Sequence, residues 1–289
     1  MAETIDGKAI AAKIQNELCK RVSILGGKGI KPLLAVVLAG ENPASLSYIR
    51  GKKKALASAG MESRDFLLPE TTAEEEILSI INSLNSDRLV HGILVQLPLP
   101  AHISEDKIIS AIDPDKDVDG FHPVSAGNMF LGKNCFLPCT PNGIIRLLNE
   151  MKVPLSGRHA VILGRSNIVG KPLAMLLCRK ENNATVTICH TGTKNLKEIT
   201  LQADILIAAA GQPEMVNADM IRDGAVVIDV GVNRVPDSTK KKGYRLCGDV
   251  DFDAVAKKAS MITPVPGGVG PMTITMLMEN LVIAAEKKS

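Results

Sequence analysis

Aromatic residues are scarce in this sequence, and neither sign of charge is in marked excess. There is no Trp, and the chain has two Tyr and five Phe, which leaves little material for base-stacking platforms. The formal net charge of +3 is the balance of 34 basic and 31 acidic residues. Because this balance gives no electrostatic reason to expect nucleic acid, we predict no nucleic-acid partner.

Segments for secretion or membrane insertion are lacking as well. The residues from Met1 to Lys8 show neither the basic start nor the apolar run of a secretory signal, and no stretch reaches the roughly 20 apolar residues of a membrane span. The six cysteines include no Cys-x-x-Cys pair, which favours reduced, mostly buried thiols over disulfides or a metal site. We therefore expect a cytoplasmic protein with no membrane partner and no metal.

The chain length and the apolar pattern predict an α/β protein with two domains. A length of 289 residues exceeds one typical compact core and suits two domains of roughly 100 to 200 residues each. Continuous apolar strands that alternate with amphipathic segments are typical of parallel sheets covered by helices on both faces. The predicted strands are residues 33–38, 92–97, 160–163, 186–189, 205–209 and 226–230.

Helical signals lie between these strands. Residues 72–75 have the spacing of a capping box, and an apolar stripe follows at Ile77, Ile80, Ile81 and Leu84. Residues 113–141 are rich in turn formers, which indicates a domain boundary near their end. A helix is expected at 140–151, and an amphipathic segment at 273–288 closes the chain.

A nucleotide site is suggested where the strand ending at Leu163 runs into a glycine-bounded turn and a helix start. A helix N-terminus presents free N–H groups and a partial positive charge to a diphosphate. The turn departs from Gly-x-Gly-x-x-Gly, since Ser166 takes the place of the second glycine and the third is displaced to Gly170. The motif is weak alone, but three further apolar strands follow it, and an ordinary tight turn is the alternative.

The cofactor preference is read from the end of the next strand. A carboxylate there holds the ribose hydroxyls in NAD-selective folds, whereas this strand ends in residues 190–194, His-Thr-Gly-Thr-Lys. With no acid in place and Arg165 on the first turn, NADP is favoured. The alternative is that Arg165 and Lys194 merely face solvent.

Lys52 is the candidate catalytic side chain. It lies on a helix predicted from residue 43 to Gly60, where it shares a stripe with Tyr48 and Leu56, while Lys54 lies with Arg50 and Ser58. A lysine directed into a partly desolvated wall has its charged form disfavoured, which suits proton exchange. The alternative is three lysines on a solvated face.

Three further segments contribute candidates. Gln96 is a lone amide at the end of a buried strand, where open α/β sheets place ligand groups. Asp119 could hold a cationic heterocycle or a ring N–H, although its segment could equally serve as a turn. Calcium is disfavoured there, because an EF-hand loop starting at Asp115 would have Ala126 where Glu is required. Residues 263–273, rich in Gly and Pro, form either a shaped wall or a plain interdomain turn.

Taken together, these residues resemble the bifunctional methylenetetrahydrofolate dehydrogenase/cyclohydrolases over essentially the whole chain. Several independent motifs occur in that family's order. They are Tyr48-x-x-x-Lys52, Val95-Gln96-Leu97-Pro98-Leu99-Pro100, Asp115-Lys116-Asp117-Val118-Asp119-Gly120, Pro138-Cys139-Thr140-Pro141, Gly164-Arg165-Ser166 and Pro264-Val265-Pro266-Gly267-Gly268-Val269-Gly270-Pro271-Met272-Thr273.

The resemblance implies an N-terminal α/β catalytic, folate-binding domain at 1–139, completed by a returning C-terminal helix at 272–289. It implies a Rossmann-like NADP-binding domain at 140–271, with a folate cleft between the two. The implied activity is oxidation of 5,10-methylenetetrahydrofolate with NADP, followed by hydrolysis of the methenyl product to 10-formyltetrahydrofolate. By the same resemblance the protein is a homodimer whose partners are tetrahydrofolate derivatives.

The resemblance also implies roles for individual residues. Lys52 carries the proton chemistry, Tyr48 stacks near the pterin, Gln96 tunes the lysine and Asp119 anchors the pterin ring. The implied cofactor positions are Gly164, Arg165, Ser166, Thr191, Val232, Thr140 and Thr273. The implied substrate positions are Tyr48, Gln96, Leu97, Asp119, Pro266, Gly267 and Gly270.

Other functions remain open at this point. One is another NAD(P)-linked dehydrogenase that acts on an amino or hydroxy acid, and another is a nucleotide-sensing binding module. A third is a family member that lacks one of the two activities.

Overall fold

The structure, a computed structural model, describes residues 1–41, 43–240 and 243–288, without the side chains of 43–45 and 47. It divides the chain into two compact units. The first, which we call the six-strand unit, comprises Met1–Ala12 and Thr140–Thr273. The second, the three-strand unit, comprises Lys13–Cys139 and Ile274–Ser289.

The strands and helices alternate along most of the chain. In order they are β1 (Glu3–Thr4), α1 (Gly7–Gly27), β2 (Leu33–Ala39), α2 (Pro43–Ser58), β3 (Glu62–Leu68), α3 (Glu74–Ser86), β4 (Gly92–Val95), α4 (Glu105–Ser110), α5 (Pro123–Phe130), α6 (Cys139–Glu150), β5 (His159–Leu163), α7 (Gly170–Leu177), β6 (Thr185–Cys189), α8 (Leu196–Thr200), β7 (Ile205–Ala208), a short 3₁₀ helix (Ala218–Met220), β8 (Val226–Asp229), β9 (Asn233–Pro236), β10 (Tyr244–Cys247), α9 (Phe252–Val255), β11 (Met261–Ile262) and α10 (Val269–Glu286).

The three-strand unit is built on the parallel sheet β3-β2-β4. Every residue of the central strand β2 is buried, as its unbroken apolar sequence predicts. One face of the core packs Ile77 and Ile81 of α3 against the sheet. Because the strands are parallel, the segments that follow β2 and β4 emerge at the same edge, which places α2 and Gln96 on the same side of the sheet.

The six-strand unit contains a parallel sheet in the order β1-β11-β8-β7-β5-β6. The chain first runs from β5 outward to β6 and then crosses back to β7 on the other side of β5. The carboxyl end of β5 is therefore the topological switch point, where open α/β sheets bind ligands. The α/β class and the two-domain, Rossmann-like organisation predicted from the sequence are confirmed.

The first twelve residues group differently from the sequence-based division at 1–139. They belong to the six-strand unit, because Glu3 and Thr4 of β1 pair with Met261 and Ile262 of β11. This two-residue strand has no apolar pattern of its own, so the sequence gives no sign of the pairing. The C-terminal segment Ile274–Ser289 belongs to the three-strand unit, in agreement with a returning helix.

All six predicted strands occur, with ends that shift by one or two residues. The prediction of a capping box at 72–75 is wrong. The N-cap of α3 is Ala73, which has no side-chain oxygen to accept a hydrogen bond from the first turn of the helix. Glu74 instead accepts hydrogen bonds from the Ser104 amide at 2.7 Å and from Lys107 Nζ at 2.8 Å. The apolar stripe is confirmed by the burial of Ile77, Ile81 and Leu84.

The turn-rich passage 113–141 contains a helix, α5, that composition did not indicate. Its N-cap is His122, whose Nδ1 accepts from the Val124 amide at 3.0 Å, and Pro123 follows as the first residue, a position that proline favours. The closing helix α10 begins at Val269 and is buried on more than one stripe. Among the described residues, no helix is long and apolar enough to cross a membrane.

Candidate active site and nucleotide cavity

Lys52 is a buried lysine on α2. Its exposed fraction is 6 %, whereas Lys53 and Lys54 are exposed. Lys53 pairs with Asp65 at 2.8 Å at the surface. The helical stripe explains the difference, because Lys52 lies on the same face as the buried Leu56. The predicted inward direction of Lys52 is thus confirmed.

Two other predicted residues contact the Lys52 amine. Gln96 Oε1 lies 3.4 Å from Lys52 Nζ, and the Tyr48 ring centroid lies 5.0 Å from the same nitrogen. The Gln96 amide is fixed in orientation, since Nε2 donates to the Leu97 carbonyl at 2.8 Å and leaves Oε1 to accept from the lysine. Tyr48 is 39 % exposed, so its ring forms an open wall beside the amine.

Asp119 completes this cluster electrostatically. Burial raises the pKa of its carboxyl group, while the charge of Lys52 and a hydrogen bond from the Cys139 thiol act in the opposite direction. The thiol sulfur lies 3.7 Å from Asp119 Oδ1 and 3.4 Å from the Val118 carbonyl. Burial and the nearby Asp119 raise the pKa of Cys139 well above its usual range, so the thiol stays protonated as a donor.

Cys139 is a neighbour of the site to which the sequence analysis gave no role. Its position in the Pro-Cys-Thr-Pro motif, beside the predicted Thr140, was the available signal. Burial alone distinguishes it from Cys178, which is exposed. From sequence alone, an isolated cysteine such as Cys139 is expected to be an ordinary core residue. Only the fold shows that its thiol contacts the Asp119 carboxylate.

The other charged residues of the Asp115–Asp119 motif have structural roles. Lys116 is 3 % exposed, and its amine donates to the carbonyls of Leu84, Asn85 and Asp87 at 2.7, 2.7 and 2.8 Å. These carbonyls belong to the end of α3, where helices leave acceptors unpaired. Within this motif, Lys116 therefore stabilises the fold, whereas Asp119 belongs to the candidate site.

Asp117 organises the turn that carries Asp119. Its carboxylate accepts from the amides of Phe121 and His122 and from the Ser125 hydroxyl at 2.9 Å. Burial raises its pKa to about 6 despite these three hydrogen bonds.

A cavity of about 270 Å³ lies at the carboxyl ends of β5, β6 and β7. It is at the switch point identified from the sheet order. Gly164 follows β5 with φ of 116°, and a Cβ atom there would collide with the Ala209 carbonyl, so the tight turn requires glycine. The lining residues are Leu163, Gly164, Arg165, Cys189, His190, Thr191, Thr193, Leu196, Ala210, Gln212 and Met215.

The loop after β6 shapes one wall of this cavity. His190 Nδ1 accepts from the Gly192 amide at 3.1 Å, and the His190 amide donates to the Thr193 hydroxyl at 2.8 Å. No acidic residue is among the described residues that line the cavity. A cationic Arg165 without a competing carboxylate fits a phosphorylated ribose better than a bare one.

Four of the seven predicted cofactor residues lie elsewhere in the six-strand unit. The Ser166 hydroxyl accepts from the amides of Val169 and Gly170 at 3.1 and 3.4 Å and so caps the start of α7. Val232 is 64 % exposed. Thr140 and Thr273 share a hydrogen bond of 2.9 Å between their hydroxyls.

The Gly/Pro loop also belongs to the six-strand unit. Pro266 is exposed, and Gly270 lies in the first turn of α10. Gly267 has φ of 117°, and its carbonyl accepts a hydrogen bond from the Lys8 amide at 3.1 Å. Tyr48, Gln96, Leu97 and Asp119, the other predicted substrate residues, belong to the three-strand unit.

Two buried carboxylates support the loop that lines the cavity after β7, and the sequence alone does not indicate them. Asp249 accepts from the amides of Ala210 and Gly211 at 2.7 and 2.8 Å and so holds the loop after β7. Asp229 accepts from the Asp249 amide at 2.9 Å, and burial raises its pKa to about 6. Asp229 ends the apolar strand β8 and Asp249 follows Gly248, so neither position has a local sequence signal for this role.

These features define an α/β protein that combines a dinucleotide-type cavity with a buried lysine site, the architecture of a nucleotide-dependent oxidoreductase. Family models agree. The tetrahydrofolate dehydrogenase/cyclohydrolase catalytic domain matches residues 5–119, and the NAD(P)-binding domain of the same family matches residues 138–289.

Similar proteins span the full length. The bifunctional protein FolD of Exiguobacterium sibiricum is 57 % identical over 286 residues, which cover 99 % of this chain and 100 % of the relative. The crystal structure of the bifunctional FolD from Campylobacter jejuni superposes with a TM-score of 0.95 at 49 % identity and 100 % coverage of both chains. That of Trypanosoma brucei, complexed with NADP and an inhibitor, gives 0.95 at 40 % identity, covering 99 % of this chain and 98 % of the other. The chain belongs to the tetrahydrofolate dehydrogenase/cyclohydrolase family.

Proposed function

We propose that this protein oxidises 5,10-methylenetetrahydrofolate to 5,10-methenyltetrahydrofolate with NADP and then hydrolyses the methenyl product to 10-formyltetrahydrofolate. The observation that carries the proposal is the buried Lys52 with its amine 3.4 Å from Gln96 Oε1. Support comes from full-length relatives named as bifunctional FolD and from a similar structure described as complexed with NADP.

Lys52 is the catalytic residue for proton transfer. Water that adds to the methenyl carbon gives up a proton to the lysine amine. The amine passes that proton to the ring nitrogen, whose bond to the tetrahedral carbon then breaks to leave the formyl group on the other nitrogen. Because Lys52 is buried, bulk water does not compete for hydrogen bonds to Nζ. The apolar residues on the same face of α2 hold the side chain in place.

Gln96 and Tyr48 define the surroundings of the Lys52 amine. The oriented Gln96 oxygen accepts a hydrogen bond from the Lys52 amine and so fixes the direction of the other N–H groups and of the lone pair of that amine. This matters during oxidation, because a cation develops on the folate and a misplaced ammonium group would oppose it. The half-open Tyr48 ring supplies a face on which the flat pterin stacks.

Asp119 binds the pterin ring. A carboxylate accepts ring N–H groups in charge-assisted hydrogen bonds, and the Cys139 thiol orients one of its oxygens. The Lys52 charge opposes the effect of burial on the pKa of Asp119, so the two groups are coupled.

The cavity at the end of β5 holds NADP, with Gly164 admitting the diphosphate, Arg165 meeting the 2′-phosphate and Thr191 lining the same wall. NADP supplies the hydride acceptor for the oxidation. We assign further cofactor contacts to Ser166, Val232, Thr140 and Thr273, and folate contacts to Leu97, Pro266, Gly267 and Gly270.

At a coarser level, we propose that residues 1–139 with 272–289 serve folate binding and catalysis and that 140–271 serve NADP binding. We further propose a cytoplasmic homodimer without nucleic-acid or membrane partners. Support for these assignments comes from the family resemblance and from the near balance of 34 basic and 31 acidic residues.

A spectrophotometric assay of the purified protein tests the proposal. Methylenetetrahydrofolate is supplied with NADP or NAD in separate reactions, and the decay of added methenyltetrahydrofolate is followed alongside. Turnover with NADP together with accelerated decay is expected. Turnover with NAD alone would refute the cofactor assignment, and no turnover with either would refute the substrate.

A further inference from the structure

Asn280 is a buried polar residue of α10. Its exposed fraction is 4 %, and its neighbours Leu281 and Val282 are fully buried. A buried amide in such surroundings costs free energy unless it is hydrogen-bonded, so its partners indicate why the position is polar.

Both hydrogens of the Asn280 amide are directed at the backbone around Asp119. Nδ2 donates to the Val118 carbonyl at 2.8 Å and to the Leu137 carbonyl at 3.0 Å. The first carbonyl belongs to the peptide that leads into Asp119. The second lies two residues before Cys139, whose thiol contacts the Asp119 carboxylate.

The two backbone segments lie against each other. A Cβ atom at Gly120 would lie 2.7 Å from the carbonyl carbon of Leu137 and from the nitrogen of Pro138, and Gly120 has φ of 72°. Asn280 therefore links the Val118–Gly120 segment to the Leu137–Cys139 segment where the two backbones are in close contact. The same link holds the Cys139 thiol next to the Asp119 carboxylate.

We propose that Asn280 is a positioning residue for the folate-binding carboxylate of Asp119, acting through the Val118 and Leu137 carbonyls. The proposal rests on the proposed function for its kinetic consequence, though the structural consequence stands apart from it. Loss of the two hydrogen bonds lets the Val118–Gly120 segment move, which weakens pterin binding and leaves the NADP cavity of the six-strand unit unchanged.

Asn280→Leu keeps the size of the side chain and removes both donors, and Asn280→Asp keeps its shape while replacing the donors with oxygen. The matched control is Thr275→Val on the same helix, which removes the 2.8 Å hydrogen bond from Gln15 Nε2 to the buried Thr275 hydroxyl. Thr275 lies five residues before Asn280 and therefore on a different face of α10, so its replacement measures general loosening of the helix.

Amide hydrogen exchange, measured on peptides that span residues 117–121 and 136–139, reports the mobility of these two backbone segments without depending on enzyme activity. We expect about tenfold faster exchange in Asn280→Leu than in wild type, and wild-type exchange there in Thr275→Val. Unchanged exchange in both Asn280 variants, or equal acceleration in Thr275→Val, would overturn the proposal.

Kinetics give the second readout. The KM for methylenetetrahydrofolate should rise about tenfold in Asn280→Leu, while the KM for NADP stays at the wild-type value. An equal rise in both constants would also overturn the positioning role. If wild type itself showed no folate turnover, the proposed function would fail, and the exchange experiment would still decide on Asn280.

Discussion

Replacing Lys116 with Met should cost the protein far more stability than replacing an exposed lysine. The Lys116 amine satisfies three carbonyls at the end of α3, and Met fills similar volume without a donor. The Asp87 carbonyl keeps the Val90 amide as a partner, whereas those of Leu84 and Asn85 lose the amine that pairs them. Two carbonyls at about 1–2 kcal/mol each and one lost hydrogen bond at about 1 kcal/mol give about 3–5 kcal/mol.

Urea unfolding followed by circular dichroism measures this loss. The control is Lys107→Met, which breaks the surface pair with Glu74 and should leave the stability close to that of wild type, because exposed ion pairs contribute little. If Lys116→Met cost no more than Lys107→Met, the buried hydrogen bonds would have little net value and the structural assignment of Lys116 would be wrong.

Two further predictions concern the six-strand unit. Burial raises the folded-state pKa of Asp229 to about 6, so the folded protein gains a proton, and with it stability, as pH falls through 6. Asp229→Asn lacks that gain. In urea titrations, the difference in free energy of unfolding between wild type and this variant should therefore be about 1.4 kcal/mol larger at pH 5 than at pH 8. A difference that does not change with pH would contradict this. Arg165→Gln should raise the KM for NADP about tenfold with little change for NAD, since one charged contact to the 2′-phosphate is lost; equal changes for both cofactors would place Arg165 away from that phosphate.

The sequence predicts much of the fold because several of its strands are continuous, mostly apolar runs. Strands β2, β7 and β8 are buried at every residue, and such runs are recognised without tertiary information. β3 (Glu62–Leu68), an edge strand, is not recognised because its first four residues are charged or polar and only its last three are apolar. β1 depends on a pairing with β11 more than 250 residues away, for which no local signal exists.

Within the candidate site, helical periodicity was enough to separate Lys52 from Lys54, because direction on a helix follows from spacing. The roles within the Asp115–Asp119 motif could not be separated in this way. Lys116 and Asp119 lie three residues apart in one irregular segment, and only the fold shows that one meets the end of α3 and the other meets Cys139. The same limit applies to Asn280, whose partners Val118 and Leu137 lie 162 and 143 positions away.

The role of the Lys52 amine in the proton transfer of hydrolysis is tested by comparing two lysine variants on one helix. Lys52→Met and the exposed control Lys54→Met are purified, checked for equal melting temperature, and assayed for decay of methenyltetrahydrofolate. We expect the rate of hydrolysis to fall about 100-fold or more in Lys52→Met, the usual contribution of general acid–base catalysis, and to stay close to wild type in Lys54→Met. Near wild-type hydrolysis by Lys52→Met would contradict it.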